Sequence, residues 1–194
     1  MNRQQRFDYL YNRMTDQHFL NRTQLGDELP FYICPYKPRE KFTIIEDVQL
    51  LKKKLSHQQI MVLEFDLLDM TIDQCKAWGI WNQIKTGELE LTKDQLKETL
   101  QNIMAPDKYL KEMIGERVSR ENHQLVFVTG VGEVYPYLRT HAILNNLQSI
   151  LPDKPVIIFF PGEYKYHQTK GSTLELFGRS HNDRFYRAFN IYEH

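Results

Sequence analysis

A chain of 194 residues has the length of one domain, and 41% of its residues are hydrophobic. A chain of this size buries about 70% of the surface that it exposes when unfolded, so its core can stabilise the fold without disulfide bonds. The 25 basic residues balance the 25 acidic ones, so no overall charge favours nucleic acid or an acidic membrane as a partner. Two cysteines, Cys34 and Cys75, exclude a disulfide framework and a four-thiolate zinc site.

The first half of the chain alternates helices with short apolar strands. The N-terminus carries apolar residues at helical spacing over 3–14 and no apolar signal core, and no run in the chain approaches the roughly 20 residues of a membrane span. We therefore expect a cytoplasmic protein. Residues 31–34 predict a strand between two prolines, and residues 39–56 predict a helix. Residues 60–66 then predict a mostly buried strand.

Residues 69–122 are helical in character and predict an insertion packed on one edge of the sheet. Thr92 can accept a hydrogen bond from a first-turn amide while Gln95 reaches back, which indicates the start of one helix. Pro106 suits the first turn of another. Acidic and basic residues are interleaved along this segment, which is typical of a solvated face.

The last third of the chain returns to strands. Residues 125–129 predict a buried strand that ends in Gly130-Val-Gly132, and Pro136 is expected to open a helix that runs to about Ile150. Residues 156–160 predict a strand ended by Pro161-Gly162, and residues 185–191 predict a final strand. The alternation predicts a single three-layer α/β domain over residues 1–194, with a mostly parallel central sheet flanked by helices.

Ligands bind open parallel sheets at the carboxyl ends of the strands. Carboxylates there could bind magnesium, and an arginine could hold a phosphate, as a metal-dependent phosphohydrolase or nuclease would require. The structural alternative, which we favour, is that Asp66 and Glu133 cap backbone amides and Arg139 neutralises a neighbour. The candidate crevice residues are Asp66, Thr129, Gly130, Gly132, Glu133, Arg139, His141 and Glu163.

No motif for a cofactor or for hydrolysis is present in the sequence. Lys170-Gly171-Ser172-Thr173 has the letters of a Walker A motif in the wrong order, and the dinucleotide fingerprint and the G-x-S-x-G elbow are both missing. Cys34 between apolar residues is more typical of a core residue than of a nucleophile paired with His141. Histidine spacing typical of zinc is also missing. We expect neither a cofactor nor a metal.

A nucleic-acid-binding module is a further alternative. It would use the lysines of the predicted second helix and the aromatic and basic residues near the C-terminus, which could stack on single-stranded bases. The neutral balance of charge argues against direct DNA binding, and alternation along residues 185–189 fits the packing of an edge strand better. The residues concerned are Lys52, Lys53, Lys54, Arg184 and Arg187.

Six strings that occur in order carry a family resemblance. The chain resembles the BrxB family of BREX bacteriophage-defence systems from about Phe7 to Tyr192, and the likeness is loosest across residues 69–122. The strings are residues 25–33 (LGDELPFYI), 129–141 (TGVGEVYPYLRTH), 145–148 (NNLQ), 155–164 (PVIIFFPGEY), 176–178 (LFG) and 185–189 (FYRAF).

The resemblance implies a role in phage defence beside an adenine methyltransferase, a large ATPase and PglZ, an alkaline-phosphatase-like protein. It transfers no catalytic residues. By fold analogy we expect a P-loop-like core without a Walker A motif, acting as a non-catalytic adaptor that docks PglZ or another BREX subunit through an exposed aromatic patch. Trp78 and Trp81 can equally fill the core. The candidate interface residues are Tyr135, Tyr137, Tyr164, Tyr166, Trp78, Trp81 and Arg187.

Overall fold

A computed structural model describes residues 1–21, 31–87, 91–105, 109–151, 154–167, 171–177, 180–181 and 188–193. The described strands are β1 (Phe31–Tyr36), β2 (Val62–Asp66), β3 (Leu125–Thr129), β4 (Val156–His167), β5 (Gly171–Leu176), β6 (Ser180–His181) and β7 (Phe189–Asn190). Five of them pair side by side in the order β2-β3-β4-β1-β7, and all of these pairs are parallel.

Helices cover both faces of this sheet, which confirms the predicted α/β class with a mostly parallel central sheet. The described helices are α1 (Arg3–Thr15), α2 (Gln17–Leu20), α3 (Lys41–His57), α4 (Leu67–Ala77), α5 (Trp81–Gly87), α6 (Lys93–Ile103), α7 (Lys111–Arg120) and α8 (Thr140–Ile150). A 3-10 turn at Pro38–Glu40 leads from β1 into α3. Among the residues that the structure describes, no helix is long and apolar enough to cross a membrane.

Strand side chains alternate between two core clusters because successive residues of a strand point to opposite faces. On one face, Val126 and Val128 of β3 pack with residues of α4, α6, α7 and α8. On the other, Leu125 and Phe127 pack with residues of α1 and α3. The helices α4 to α7 occupy the predicted helical segment and connect β2, at one edge of the sheet, to β3.

Strand β4 continues past the point where the sequence predicts its end. Its second half leaves the parallel sheet and pairs antiparallel with β5, from Gly162 opposite Leu176 to His167 opposite Gly171. A Cβ on Gly162 would collide with the carbonyl oxygen of Glu175, so the glycine allows the two strands to approach instead of ending the strand. The prediction that Pro161-Gly162 ends this strand is therefore wrong.

The helix predicted from Pro136 begins four residues later, at Thr140. Residues 131–138 form turns, in which the amides of Glu133 and Val134 donate to the carbonyl of Gly130. Arg139 then has an extended backbone, with φ −97° and ψ 145°, so the turns do not run on into the helix. The sequence predicts Arg139 within the first turns of this helix, but in the structure Arg139 precedes α8.

Two further expectations concern helix and strand ends. Thr92 accepts from the amide of Gln95, and the Gln95 side chain accepts from the amide of Thr92, as predicted for a capping box. Pro106 and residues 185–187 lie outside the described residues.

Candidate functional site: an acidic cleft beside helix α3

A cleft of about 160 Å³ lies between α3 and the carboxyl ends of β2 and β3. We call it the α3 cleft. It is smaller than the roughly 300–1,000 Å³ of most small-molecule pockets, and its volume is on the scale of one side chain. It is lined by Tyr36, Lys41, Ile44, Ile45, Val48, Gln49, Glu64, Asp66, Leu68, Asp69, Thr129, Gly130, Glu133 and Phe159.

The alternation of β2 brings two carboxylates to this cleft. Leu63 and Phe65 point into the core on the opposite face of the sheet, so Glu64 and Asp66 point towards α3. Asp66 is opposite Thr129 in the register of β2 with β3. Asp66 and Thr129, two of the candidate crevice residues, therefore lie side by side at the end of the sheet.

Asp66 caps helix α4. Its Oδ1 accepts from the amides of Leu68 at 3.0 Å and Asp69 at 3.1 Å, which satisfies two of the free amides in the first turn. Gly130 makes room for this cap. It has φ +75°, and a Cβ there would lie 2.9 Å from Asp66 Oδ1 and 3.0 Å from the Leu67 nitrogen. Asp66 therefore makes the contacts of the structural alternative, in which it caps backbone amides and does not bind a ligand.

The hydroxyl of Thr129 lies between two carboxylates. Its Oγ1 is 3.1 Å from Glu64 Oε1 and 3.1 Å from Asp66 Oδ2. A hydroxyl has one proton, so it donates to only one of these oxygens at a time. The other Glu64 oxygen, Oε2, pairs with Lys52 Nζ at 2.5 Å. Gln49 Nε2 also donates to Oε2, at 3.4 Å. Glu64 Oε1 and Asp66 Oδ2 are therefore the two oxygens that share one donor, the Thr129 hydroxyl.

Glu133 pairs with a lysine instead of capping amides. Its Oε1 lies 2.5 Å from Nζ of Lys41, the first residue of α3. This ion pair joins the turn after β3 to the helix after β1. Burial, together with the negative charge of Glu133, raises the pKa of the neighbouring Tyr36 phenol well above its ordinary value.

Asp69 is exposed at the rim of the cleft. Partial burial and the nearby charges of Asp66, Asp73 and Glu64 raise the pKa of Asp69 above its ordinary value. Four carboxylates line the cleft, and Lys41 and Lys52 offset only two of them, so the cleft has an excess of negative charge. Among the described residues, Lys41 and Lys52 pair with Glu133 and Glu64, and no lysine or arginine lies within 4 Å of Asp66 or Asp69.

Four of the eight predicted crevice residues line the α3 cleft, namely Asp66, Thr129, Gly130 and Glu133. Gly132 lines a neighbouring hollow of about 250 Å³, which also has Lys41 and Glu133 in its wall. The structure does not bring the other three residues to either hollow. Arg139 is exposed before α8, His141 lies in the first turn of α8, and Glu163 is exposed on the second half of β4, 3.5 Å from Lys165.

No group of three or more His, Cys, Asp or Glu side chains suited to a metal ion occurs in the part of the chain that the structure describes. Cys34 lies in the core with its Sγ 3.1 Å from the Tyr192 hydroxyl. Burial raises the pKa of the Cys34 thiol to about 12, whereas a nucleophilic cysteine needs a lowered pKa. The interpretation of Cys34 as a core residue agrees with this environment.

Two of the predicted interface aromatics are exposed. Tyr135 is 39% exposed and stands edge-on to Phe177, which is 40% exposed, with 6.3 Å between ring centroids. Trp78 is 41% exposed and packs edge-on against Tyr109 at 4.7 Å.

The other predicted aromatics contribute to packing. The Tyr164 hydroxyl donates to the carbonyl of Ala188 at 3.1 Å, and the Tyr137 hydroxyl lies 3.5 Å from Thr71 Oγ1. Trp81 is half-buried and packs against the core, which is the alternative role given above for the two tryptophans. The side chains of Tyr166, Arg184 and Arg187 lie outside the described part of the chain.

The predicted cationic face of α3 is partly occupied by contacts within the protein. Lys52 pairs with Glu64, and Lys54 Nζ lies over the rings of Phe7 at 4.9 Å and Tyr11 at 5.6 Å. Lys53 and Lys54 are both exposed, but two of the three lysines already contact other side chains of the protein, which weakens the case for a nucleic-acid-binding helix.

Sequence reasoning missed Glu64, Asp69, Lys41 and Ile45. Glu64 carries a readable signal, because a strand with Val62, Glu64 and Asp66 on one face and Leu63 and Phe65 on the other has one polar face. Lys41 has no such signal, since its partner Glu133 comes from a distant part of the chain.

The fold and the cleft define a three-layer α/β protein with a small acidic cleft at the carboxyl edge of a parallel sheet. The family described as BREX protein BrxB matches over residues 63–191. A BREX protein BrxB from Bacillus cereus (strain H3081.97) is 32% identical over 96% of each chain. Another from Escherichia coli O9:H4 (strain HS) is 23% identical over 96% of this chain and 90% of its own length.

The chain therefore belongs to the BrxB family, as its sequence strings indicate, and is a subunit of a BREX phage-defence system. No solved structure matches it.

Proposed function

We propose that the chain is a non-catalytic adaptor of the BREX complex, which docks the PglZ component or, failing that, another BREX subunit. The observation that supports this proposal is a group of exposed apolar side chains around the Lys41–Glu133 ion pair. Lys41 and Glu133 line both hollows, Ile45 lines the α3 cleft, and Phe177 lines the neighbouring hollow. Tyr135 stands against Phe177. We call this group, together with Phe42, the edge surface.

The edge surface has the composition of a docking site. Phe42 is 77% exposed and Ile45 is 48% exposed, and their spacing of three residues places them on the same side of α3. Single exposed apolar side chains are common, but several of them beside one charged pair are the composition expected of an interaction surface. Aromatic side chains are also the usual anchors of protein interfaces.

The contacts of the cleft carboxylates support a non-catalytic role. Asp66 caps α4, Glu133 pairs with Lys41 and Glu64 pairs with Lys52. Each of these contacts holds one element of the fold to another. A phosphohydrolase or nuclease would instead direct such carboxylates at a shared metal ion.

The test is co-expression with the PglZ protein of the same operon, followed by size-exclusion chromatography in moderate salt. We expect co-elution in a defined ratio. The double variant Tyr135→Ala/Phe177→Ala should weaken the complex by more than about tenfold, since interface aromatics cost about 2 kcal/mol or more when truncated. Leu50→Ala/Met61→Ala is the matched control, because both side chains are exposed, at 44% and 48%, and neither lines the two hollows.

Separate elution of PglZ would exclude the first partner, and the other BREX subunits are then tested in the same way. The adaptor proposal fails if none of them co-elutes. Trp78→Ala separates the edge surface from the helical segment. If Trp78→Ala weakens the complex and the edge variant does not, docking takes place on α4 instead.

A further inference from the structure

Two carboxylate oxygens of the α3 cleft have one hydrogen-bond donor between them among the described residues. Glu64 Oε1 and Asp66 Oδ2 share the single proton of the Thr129 hydroxyl. Asp69 is exposed at the rim and has no lysine or arginine within 4 Å among the described residues. A cationic donor placed in this cleft would satisfy these oxygens and offset the excess of negative charge.

The walls of the cleft are apolar. Ile44, Ile45 and Val48 of α3 line one side, and Leu68 lies near the carboxylates. An arginine combines the two features that such a site selects, since its hydrocarbon stem packs on apolar surface and its planar guanidinium donates to two carboxylates at once. A volume of about 160 Å³ suits one such side chain better than a nucleotide.

We propose that the α3 cleft receives an arginine side chain from a segment of a partner protein, and that the apolar neighbours of this arginine pack on Phe42 and Ile45. That the partner is a BREX subunit rests on the proposed function. The choice of an arginine does not rest on the proposed function, because it follows from the carboxylates of the cleft and the exposed apolar side chains of α3.

The probe is the capped tripeptide Ac-Leu-Arg-Leu-NH2, titrated into the isotopically labelled full-length chain and followed by NMR. We expect saturable shifts of the amides of Leu68, Asp69 and Gly130, which lie at the carboxylates. The same peptide with citrulline, a neutral isostere of arginine, should bind at least about fivefold more weakly, since it lacks the charge. A lysine peptide that binds as tightly as the arginine peptide would overturn the choice of arginine.

Two variants locate the effect. Asp66→Asn/Asp69→Asn removes both charges and leaves an oxygen at residue 66 that can still cap α4. We expect the affinity for the arginine peptide to fall about five- to tenfold. Glu98→Gln/Glu116→Gln, on the exposed sides of α6 and α7, is the matched control and should bind like the parent chain. Asp69→Asn alone serves if the double variant does not fold, and it should weaken binding in the same direction.

The outcomes separate this inference from the proposed function. No saturable shift at these amides, or equal binding by the cleft variant, overturns the arginine site even if PglZ co-elutes. If the peptide binds in the cleft but no BREX subunit co-elutes, the arginine site stands and the adaptor proposal fails. If both hold, Asp69→Asn should also weaken the subunit complex and reduce its salt dependence.

Discussion

Helix α3 has a group of charged side chains on each of two sides, and in only one of the two groups does every carboxylate lie within 4 Å of a cationic side chain in the described part of the chain. On the side that faces α1, Arg3 lies 2.8 Å from Glu46 and 2.8 Å from Asp47, and Arg6 lies 3.1 Å from Glu40. We call this group the α1–α3 network. On the side that faces β2 and β3, two carboxylates of the α3 cleft have no cationic partner among the described residues.

The α1–α3 network and the α3 cleft differ in how their carboxylates are paired, and this difference corresponds to different roles. Asp47 is 4% exposed, and a carboxylate at that depth is tolerated only when it is paired. Arg3 at 2.8 Å and Arg6 at 3.6 Å offset its charge and hold α1 against α3. The carboxylates of the cleft face open space, where an unpaired charge costs little until a partner covers it. Charged residues that are paired within the chain therefore have a structural role, and the unpaired ones beside apolar side chains belong to the docking site that we propose.

The largest effect is expected at Gly130, which forms part of the cleft. Gly130→Ala should lower the free energy of unfolding by about 2–4 kcal/mol in urea, since a non-glycine residue with positive φ is strained and its Cβ crowds Asp66 Oδ1. Gly79→Ala is the control, because Gly79 has a similar φ of +72° but nothing within 4 Å of its Cβ. It should cost about 1 kcal/mol. Equal losses at the two positions would show that the crowding at Asp66 contributes nothing.

Arg6→Met tests the α1–α3 network. The guanidinium of Arg6 is largely buried, and its removal leaves Glu40 with the amide of Lys37 but no ion pair, and Asp47 with Arg3 only. We expect the free energy of unfolding to fall by about 2–3 kcal/mol in a urea titration. Arg3→Met should have a clearly smaller effect, because the Arg3 side chain is half exposed. A larger loss for Arg3→Met than for Arg6→Met would contradict the assignment of Arg6 as the buried member of the network.

Local patterns in the sequence predict most of the fold but only half of the site. Residues 125–129 and 156–160 are almost entirely apolar, and such short apolar runs predict buried strands from the local sequence alone. The structure pairs the two strands in parallel. The continuation of β4 past Gly162 was not predictable from the local sequence. A glycine is needed there because the carbonyl of Glu175, on the neighbouring strand β5, lies too close for a Cβ. The cleft depends on the same kind of contact. Asp66 is readable as the last residue of a strand, whereas the Lys41–Glu133 pair exists only once β1 and β3 lie in one sheet.

Asp66 belongs to both roles, and two substitutions separate them. Asp66→Ala should lower the free energy of unfolding by about 1 kcal/mol, because α4 loses its capping oxygen. Asp66→Asn should retain most of that stability, since asparagine caps as well as aspartate. Chemical unfolding of the two variants gives the comparison. Equal destabilisation by Asn and Ala would mean that the charge of Asp66, not its capping oxygen, stabilises the fold.

The smallest effect is a difference in pKa between the two sides of α3. Burial opposes the ionisation of Glu40, but the hydrogen bond and charge of Arg6 outweigh it, so the pKa of Glu40 is below its ordinary value of 4.5. The pKa of Asp69 is above its ordinary value of 3.8, because burial and the neighbouring carboxylates disfavour its charge. Carbon-detected NMR titration of the two carboxyl groups measures both directions.

The two shifts predict opposite signs in the pH dependence of stability. Glu40 contributes stability above its ordinary pKa, and this contribution is lost as the pH falls through its lowered pKa. Asp69 contributes stability below its ordinary pKa, and this contribution is lost as the pH rises through its raised pKa. Glu40→Gln should therefore be less stable than the parent at neutral pH, and Asp69→Asn slightly more stable, with both differences closing towards acid. If Asp69→Asn is instead less stable at neutral pH, the charge of Asp69 is already compensated within the chain and the two sides of α3 do not differ.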